Sequence, residues 1–279
     1  MAGSLSPSVW SAHQLTKPAD TGQTILVIPD SHARPGVDNN RFTLLGKMIC
    51  EVRPDVVVNI GDMFDLPSLS SYDKGKRSYE GRRYKDDIAC GIDAQRRIFD
   101  EIDNYNRPRR GKSILDIEWH YALGNHEARI NRAIEDDPGQ LEGVISIDDL
   151  TNNGEFPWEV HPFLEPFFIG GVGFSHYWSS GVMGRAISGV SPAAAILSKQ
   201  FHSCIQGHTH TLDVASRCRA DGVRLGAIVC GCYFTHKEEW AGPQVNALWE
   251  PGILVLRGVL NGEYGFEWWP MRRIESQFG

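Results

Sequence analysis

The chain has no C-x-x-C pair, no long apolar run, no excess of basic charge, no internal repeat and no low-complexity tract. Its six cysteines stand at positions 50, 90, 204, 218, 230 and 232. Without paired spacing they offer neither a zinc-ribbon framework nor a thioredoxin-type motif, and they read as buried free thiols of a reducing cytoplasm. Only Cys230 and Cys232, in "CGC", lie close together, and no zinc-type partner pair accompanies them. The longest apolar stretches, such as "ILVI" and "AAAIL", fall far short of the ~20 residues that a spanning helix needs. The start, "MAGSLSPSVWSAHQLTKPAD", lacks the basic opening and apolar core of a secretory signal. The expectation is a cytoplasmic protein with no membrane partner. Acidic side chains (35) outnumber Lys and Arg (28), for a net charge of -7 and a pI near 5.8. A protein that coats nucleic acid is usually basic, so any such contact here has to be a local patch.

What is present is an ordinary globular composition, 41% hydrophobic and 23% charged over 279 residues. Residues 1–22, rich in Ser, Pro and Thr, read as an extended N-terminal arm, and 23–279 as a single domain. "TILVIPD", "PDVVVNIGD" and "ILDIEWHYALGNHE" predict buried strands. Between them, "NNRFTLLGKMICEV", with Asp38 as a cap, and "EGRRYKDDIACGIDAQRRIFDEIDNYN" predict helices, the second despite Gly91. This alternation is that of a mostly parallel sheet. After about residue 157 the texture changes. "FFIGGVGFSHYW" predicts a hairpin, and "SPAAAILSKQFH" a helix capped by Ser191 with Pro192 first. "CIQGHTH", "LDVASRC", "RLGAIVCGC", "GILVLRGVLNG" and "EYGFEWWPM" predict further strands. The fold class expected is α/β, a sandwich of two mixed β-sheets flanked by helices.

Polar residues gather at the C-terminal ends of these strands: Asp30-Ser31-His32, Gly61-Asp62-Met63-Phe64-Asp65, Gly124-Asn125-His126-Glu127, Ser175-His176 and Gly207-His208-Thr209-His210. Ligands bind at that edge of open α/β sheets. Seven side chains are candidate metal ligands: Asp30, His32, Asp62, Asn125, His176, His208 and His210. Carboxylates, imidazoles and an amide without thiolate suit Mn, Fe or Zn. Seven exceed what one metal uses while leaving room for water and substrate. Two metals bridged by one carboxylate use them well. On an extended strand, residues two apart share a face, which would aim Asp30 with His32, and His208 with His210, into one site.

D-x-H, G-D-x-x-D, G-N-H-E, a lone His and G-H-x-H, in this order over residues 30–210, resemble the calcineurin-like metallophosphoesterase superfamily. The stretches "PDVVVNIGD", "SLSSYDKGKRSYEGRRYKDDI" and "SHYWSSGVMGRAIS" are similar to members carried on bacteriophage genomes, which would place the protein in the host-cell cytoplasm. The resemblance implies two divalent cations, Mn first among Fe, Zn, Ni and Mg. It implies that Asp30, His32 and His210 hold one metal, that Asn125, His176 and His208 hold the other, and that Asp62 bridges. It further implies that His126 protonates the leaving oxygen or contacts the phosphate, and that Asp65 orients His126. The reaction implied is hydrolysis of a phosphoester by attack of a hydroxide between the metals.

Protein phosphatases of this superfamily carry G-D-x-x-D-R-G, whereas Asp65 is followed here by Leu66 and Pro67. That departure turns the expectation towards a phosphodiesterase or nuclease acting on DNA or nucleotides. The alternatives are a phosphomonoesterase or cyclic-nucleotide phosphodiesterase acting on small molecules, and a non-catalytic scaffold with a relic site. Lys74, Lys76, Arg77, Arg82, Arg83 and Lys85 cluster between the second and third motifs, either as a solvated loop or as a phosphate-backbone contact through Arg82 and Arg83. Arg185, in the Gly-rich "SSGVMGRAISG", is a candidate substrate clamp. His13, His120, His161 and His202 read as structural or exposed, as does His236, which also has a position from which to line the cleft. Trp268 and Trp269 read as packing residues.

Overall fold

The computed structural model describes residues 22–73 and 75–279. The expected N-terminal arm, except its last residue, lies outside the described residues, as do His13 and Lys74. β1 (Gln23–Ile28) is followed by α1 (Asn40–Val52), β2 (Val56–Asn59), α2 (Tyr84–Asn106) and β3 (Glu118–Ala122). α3 (Arg129–Asp136) and the short α4 (Pro138–Leu141) lead to β4 (Glu159–His161). These four strands run parallel and side by side. β5 (Phe167–Ile169) and β6 (Val172–Phe174) form the expected antiparallel pair. A small hairpin, β7 (Ser179–Ser180) and β8 (Arg185–Ala186), stands apart from both large sheets. α5 (Pro192–Gln200), β9 (Cys204–Gln206), β10 (Leu212–Cys218), β11 (Arg224–Cys230) and α6 (Gly242–Asn246) follow. β12 (Gly252–Leu260) and β13 (Glu263–Pro270) rejoin the first sheet, and α7 (Met271–Phe278) closes the chain.

The result is two mixed sheets, ordered β13-β12-β1-β2-β3-β4 and β10-β11-β9-β6-β5, flanked by helices. The strand alternation explains the layers. Ile25, Val27, Val56, Val58, Leu254 and Leu256 point between the sheets and meet Phe174, Ile205 and Ile228. Their neighbours Leu26, Ile28 and Val57 point the other way, into the core with Leu45, Met48 and Ile98 of α1 and α2. The outer face of the second sheet is covered by Ala193, Ile196 and Leu197 of α5. Central strands buried on both faces read as unbroken apolar runs, hence "ILVI" and "VVV".

Three expectations need correction. α2 begins at Tyr84, not at "EGRR": Arg83 is extended, and residues 77–79 form a single 3-10 turn. β4 and α7 were not anticipated. Pro270 ends β13, and α7 then buries Met271 and Ile274 under the first sheet. The expected strand "CIQGHTH" stops at Gln206, with consequences described below.

Gly91 sits inside α2 because Phe64 leaves no space for a side chain: a Cβ at that position would overlap the Phe64 ring. In an open helix Gly→Ala stabilises by roughly 0.5–1 kcal/mol. Here overpacking of about 1–3 kcal/mol opposes that gain. Gly91→Ala is therefore expected to lower the thermal midpoint by several degrees, and an unchanged or higher midpoint in calorimetry would refute this packing account.

Candidate metal centre

The five motif segments leave the C-terminal ends of β1, β2, β3, β6 and β9, neighbouring strands of the two sheets, and meet at one edge of the sandwich. Asp30, His32, Asp62 and His176 are buried there, and Asn125, His208 and His210 are half-buried. The ligand-type atoms form overlapping groups, each able to hold a metal ion: Asp30, His32 and His210; His32, Asp62 and His126; and Asp62, His176 and His208. Asp62 is common to the last two. Its Oδ2 lies 3.4 Å from His176 Nε2, 3.7 Å from His32 Nε2 and 3.8 Å from His126 Nε2. On one side, Asp30 Oδ2 is 3.1 Å from His210 Nε2, and His210 meets the His32 ring edge-on at 5.0 Å. On the other, Asn125 Oδ1 is 2.8 Å from His208 Nδ1 and 3.0 Å from His176 Nε2. The two histidines of "GHTH" thus go to opposite sides.

Two observations fit a cation. His32 Nε2 is buried and has no hydrogen-bond partner, although it faces Asp62. His176 Nδ1 lies 3.1 Å from the carbonyl of Ile60, so that nitrogen donates and Nε2 is the ring atom turned to the cluster. Metal-binding histidines are commonly oriented by such a carbonyl.

The convergence does not come from strand alternation. β1 ends at Ile28 and β9 at Gln206, so the paired residues lie in loops. His32, Asp62, His208 and His210 take φ of 45°, 52°, 70° and 60°. Left-handed backbone at such residues costs on the order of 1–3 kcal/mol each and persists where the surroundings enforce it. The enforcing contacts are visible. Ser31 and His32 donate to the Asp62 carbonyl at 3.0 and 2.9 Å, and Glu250 donates to that of His210 at 2.9 Å. Asp30 accepts from the His208 backbone at 3.0 Å, and Asp62 from that of His126 at 2.8 Å. The glycines of the motifs allow these approaches: a Cβ on Gly207 would overlap the Asp30 carboxylate, and one on Gly124 that of Asp62.

Glu127, whose role the sequence left unassigned, holds two of these loops together. Fully buried, it accepts from the backbones of Asp62 (2.9 Å), Phe64 (3.0 Å) and Gly124 (2.8 Å) and from the Tyr121 hydroxyl (2.7 Å). Burial and the Asp62 charge push its carboxyl upward, against the bonds from Phe64 and Tyr121.

The electrostatics separate the imidazoles. Burial, followed by the nearby His126, lowers His32 to about 4, and burial with His176 lowers His208 to about 4, so both rings are neutral. Burial would also lower His176, but Asp62 and Asp30 overcome it and raise that ring to about 9. Burial disfavours the charged form of Asp62, yet His126 and His176 hold it well below the usual carboxylate range. His126 rests with Nδ1 2.8 Å from the Asp65 carbonyl and 3.0 Å from its Oδ1. Burial lowers His126, but Asp62 and Asp65 outweigh it and raise the ring.

Other expected residues have partners of their own or face solvent. Arg82 donates to Asp73 at 2.9 Å and to the Pro67 carbonyl at 3.1 Å, while Arg83 donates to the Arg82 carbonyl. Arg185 is exposed on β8. Trp269 is buried and Trp268 packs between the sheets, as expected of packing residues. Cys230 and Cys232 are buried free thiols, pushed upward by burial. His236 stacks on Phe234, which itself stacks on His32. Arginines that sequence reasoning missed do reach the site. Arg129 Nη2 is 3.1 Å from His126 Nε2, and its Nη1 donates to the Asp65 carbonyl at 2.7 Å. Arg132 donates to the Asn125 carbonyl at 2.7 Å, and Arg34 bridges Asp65 at 3.2 Å to Glu238 at 2.5 Å. The spacing of Arg129 and Arg132, one helical turn apart just after "GNHE", was the available signal.

No protein-family model and no curated protein matches the sequence. Among solved structures the chain is similar to the nuclease MPE of Pseudomonas putida, at 11% identity and a TM-score of 0.31, over 88% of this chain and 86% of that one. A likeness this loose bears on neither activity nor substrate. What stands on the geometry alone is a buried set of His and Asp groups able to hold metal ions. No helix among the described residues is long and apolar enough to cross a membrane.

Glu127→Gln turns one acceptor oxygen into an NH2 group facing backbone donors. At about 1–3 kcal/mol per unpaired buried donor, it should destabilise the protein far more than Tyr121→Phe, which removes a single donor. Urea unfolding of the two variants measures the difference, and equal losses would contradict the role assigned to Glu127.

Proposed function

We propose that the protein is a two-metal-dependent phosphoesterase that hydrolyses phosphodiester bonds of DNA or nucleotides. The observation carrying this reading is the position of Asp62, whose Oδ2 lies within 3.8 Å of imidazoles belonging to two different ligand groups. Asp30, His32 and His210 would hold one cation, Asn125, His176 and His208 the other, with Asp62 between them. Divalent cations such as Mn would there neutralise phosphate oxygens and bring the pKa of a shared water near neutrality.

The chain's own residues would do the rest. His126 would protonate the departing oxygen, a task worth typically ~10²–10⁴-fold. Asp65 fixes the orientation of its ring through Nδ1. Arg129, beside His126 Nε2, adds a fixed positive charge where the phosphate would meet the imidazole. It supplies a guanidinium in a chain that lacks the Arg of G-D-x-x-D-R-G. Arg185, exposed on its hairpin, is retained as a clamp for the far end of the substrate. Arg82 and Arg83 are retained as contacts to a longer phosphate backbone.

The second reading is a small phosphoester as substrate. It is favoured by the acidic net charge and by the engagement of Arg82 with Asp73. A polyanionic substrate should lose affinity steeply with salt, and further on neutralising Arg82 and Arg83, whereas a small one should respond to neither.

With Mn present, His126→Asn should retain bound metal and lose about 10²–10⁴-fold in activity on the best of a panel of DNA, RNA and cyclic-nucleotide substrates. Full activity in that variant would remove His126 from the chemistry. His208→Ala and His210→Ala should each lose metal, from different positions. Anomalous diffraction that finds the same position emptied in both variants would overturn the assignment of the two histidines to separate metals.

A further inference from the structure

An aromatic wall runs from the candidate metal ligands to the surface. Phe234 stacks on His32, with ring centroids 4.9 Å apart, and meets His210 edge-on at 5.1 Å. Trp249 meets His210 edge-on at 4.9 Å and Phe234 at 5.4 Å. Trp240 lies 6.2 Å beyond Trp249 and is 78% exposed. A tryptophan is seldom left so open, because its ring has more apolar surface to bury than any other side chain. This one does not hang from a loose loop. Glu250 donates to the His210 carbonyl, Asn246 ties its side chain to both backbone groups of Glu238, and Arg34 links Glu238 to Asp65. The segment carrying both tryptophans is thus fastened to the ligand loops at two points and braced within itself by Asn246, and an open ring is held one residue away from the cluster.

We propose that Trp240 and Trp249 form a stacking subsite for a nucleobase of the phosphoester. This rests on the phosphodiesterase reading, which it deepens. A flat, preorganised indole suits a flat partner, and stacking is tolerant of base identity because every base has a π-face. The neighbouring acidic group Glu238 is already engaged by Arg34. With the phosphate at the metal ligands, a base on this side would lie along the wall on the His210 flank, away from Asn125 and His176.

The test compares a short oligothymidylate with the same backbone carrying abasic sugars, each with Mn. Wild-type protein should favour the base-bearing strand in kcat/KM. Trp240→Ala should reduce that preference by about 5- to 150-fold, the range expected for loss of one base stack, and Trp240→Phe should retain most of it. An exposed side chain can be replaced with little risk to folding. A preference unchanged by Trp240→Ala overturns the subsite. If wild-type protein cleaves neither strand, the phosphodiesterase reading fails, and calorimetry then decides the subsite by itself. Thymidine 5′-phosphate should bind more tightly than ribose 5-phosphate, and Trp240→Ala should erase the difference. Equal affinities in the wild type, or binding of neither, overturns it.

Discussion

Four donors converge on the carboxylate of Glu127, which has no contact with water, and the edge of the sandwich is assembled around that convergence. Two donors lie in the loop after β2 and two on β3 or just beyond it. Neither loop could turn its backbone N–H groups inward without an acceptor, because unpaired buried donors are costly. With Glu127 in place, the turn that carries Asp62 and the turn that carries Asn125 and His126 are locked to each other. Asp62, in turn, accepts through its carbonyl from Ser31 and His32 and so sets the loop after β1. One carboxylate thus controls the relative placement of three of the five motif segments.

The site stores what this framework enforces. Four ligand-type residues sit in left-handed backbone, carboxylates approach glycines that could be nothing else, and imidazoles crowd around Asp62. A sequence optimised only for stability would avoid all three features. Their concentration at one edge, with regular and continuously apolar strands behind it, is the usual division between a rigid scaffold and a costly site. The aromatic wall extends that division outward, with Phe234 packed, Trp249 half-covered and Trp240 open.

Much of this was legible in the residues. Unbroken apolar runs identified the central strands, because strands covered on both faces need no polar alternation. Punctuation by Asp, His and Asn at the ends of those runs identified the edge and its candidate ligands. The failures are equally physical. "CIQGHTH" was taken as strand throughout, since period and propensity carry no mark of a left-handed turn at a histidine. The face-sharing argument for Asp30 with His32 and for His208 with His210 therefore reached the right neighbourhood by the wrong geometry. Arg82 was left open between a solvated loop and a phosphate contact, because sequence does not reveal that Asp73 and the Pro67 carbonyl engage it.

Composition and order alone determined the α/β layering, the absence of a disulfide or thiolate framework, and which side chains could serve a metal. These follow from local rules, strand burial and ligand chemistry, that act along the chain. Only the tertiary structure decided that left-handed turns, not a shared strand face, carry His208 and His210 to opposite sides, that Glu127 is the organising acceptor, that Arg129 reaches His126, and that Trp240 stands open beside the site. Each depends on groups far apart in sequence meeting in a fixed geometry, and no local pattern encodes such a meeting.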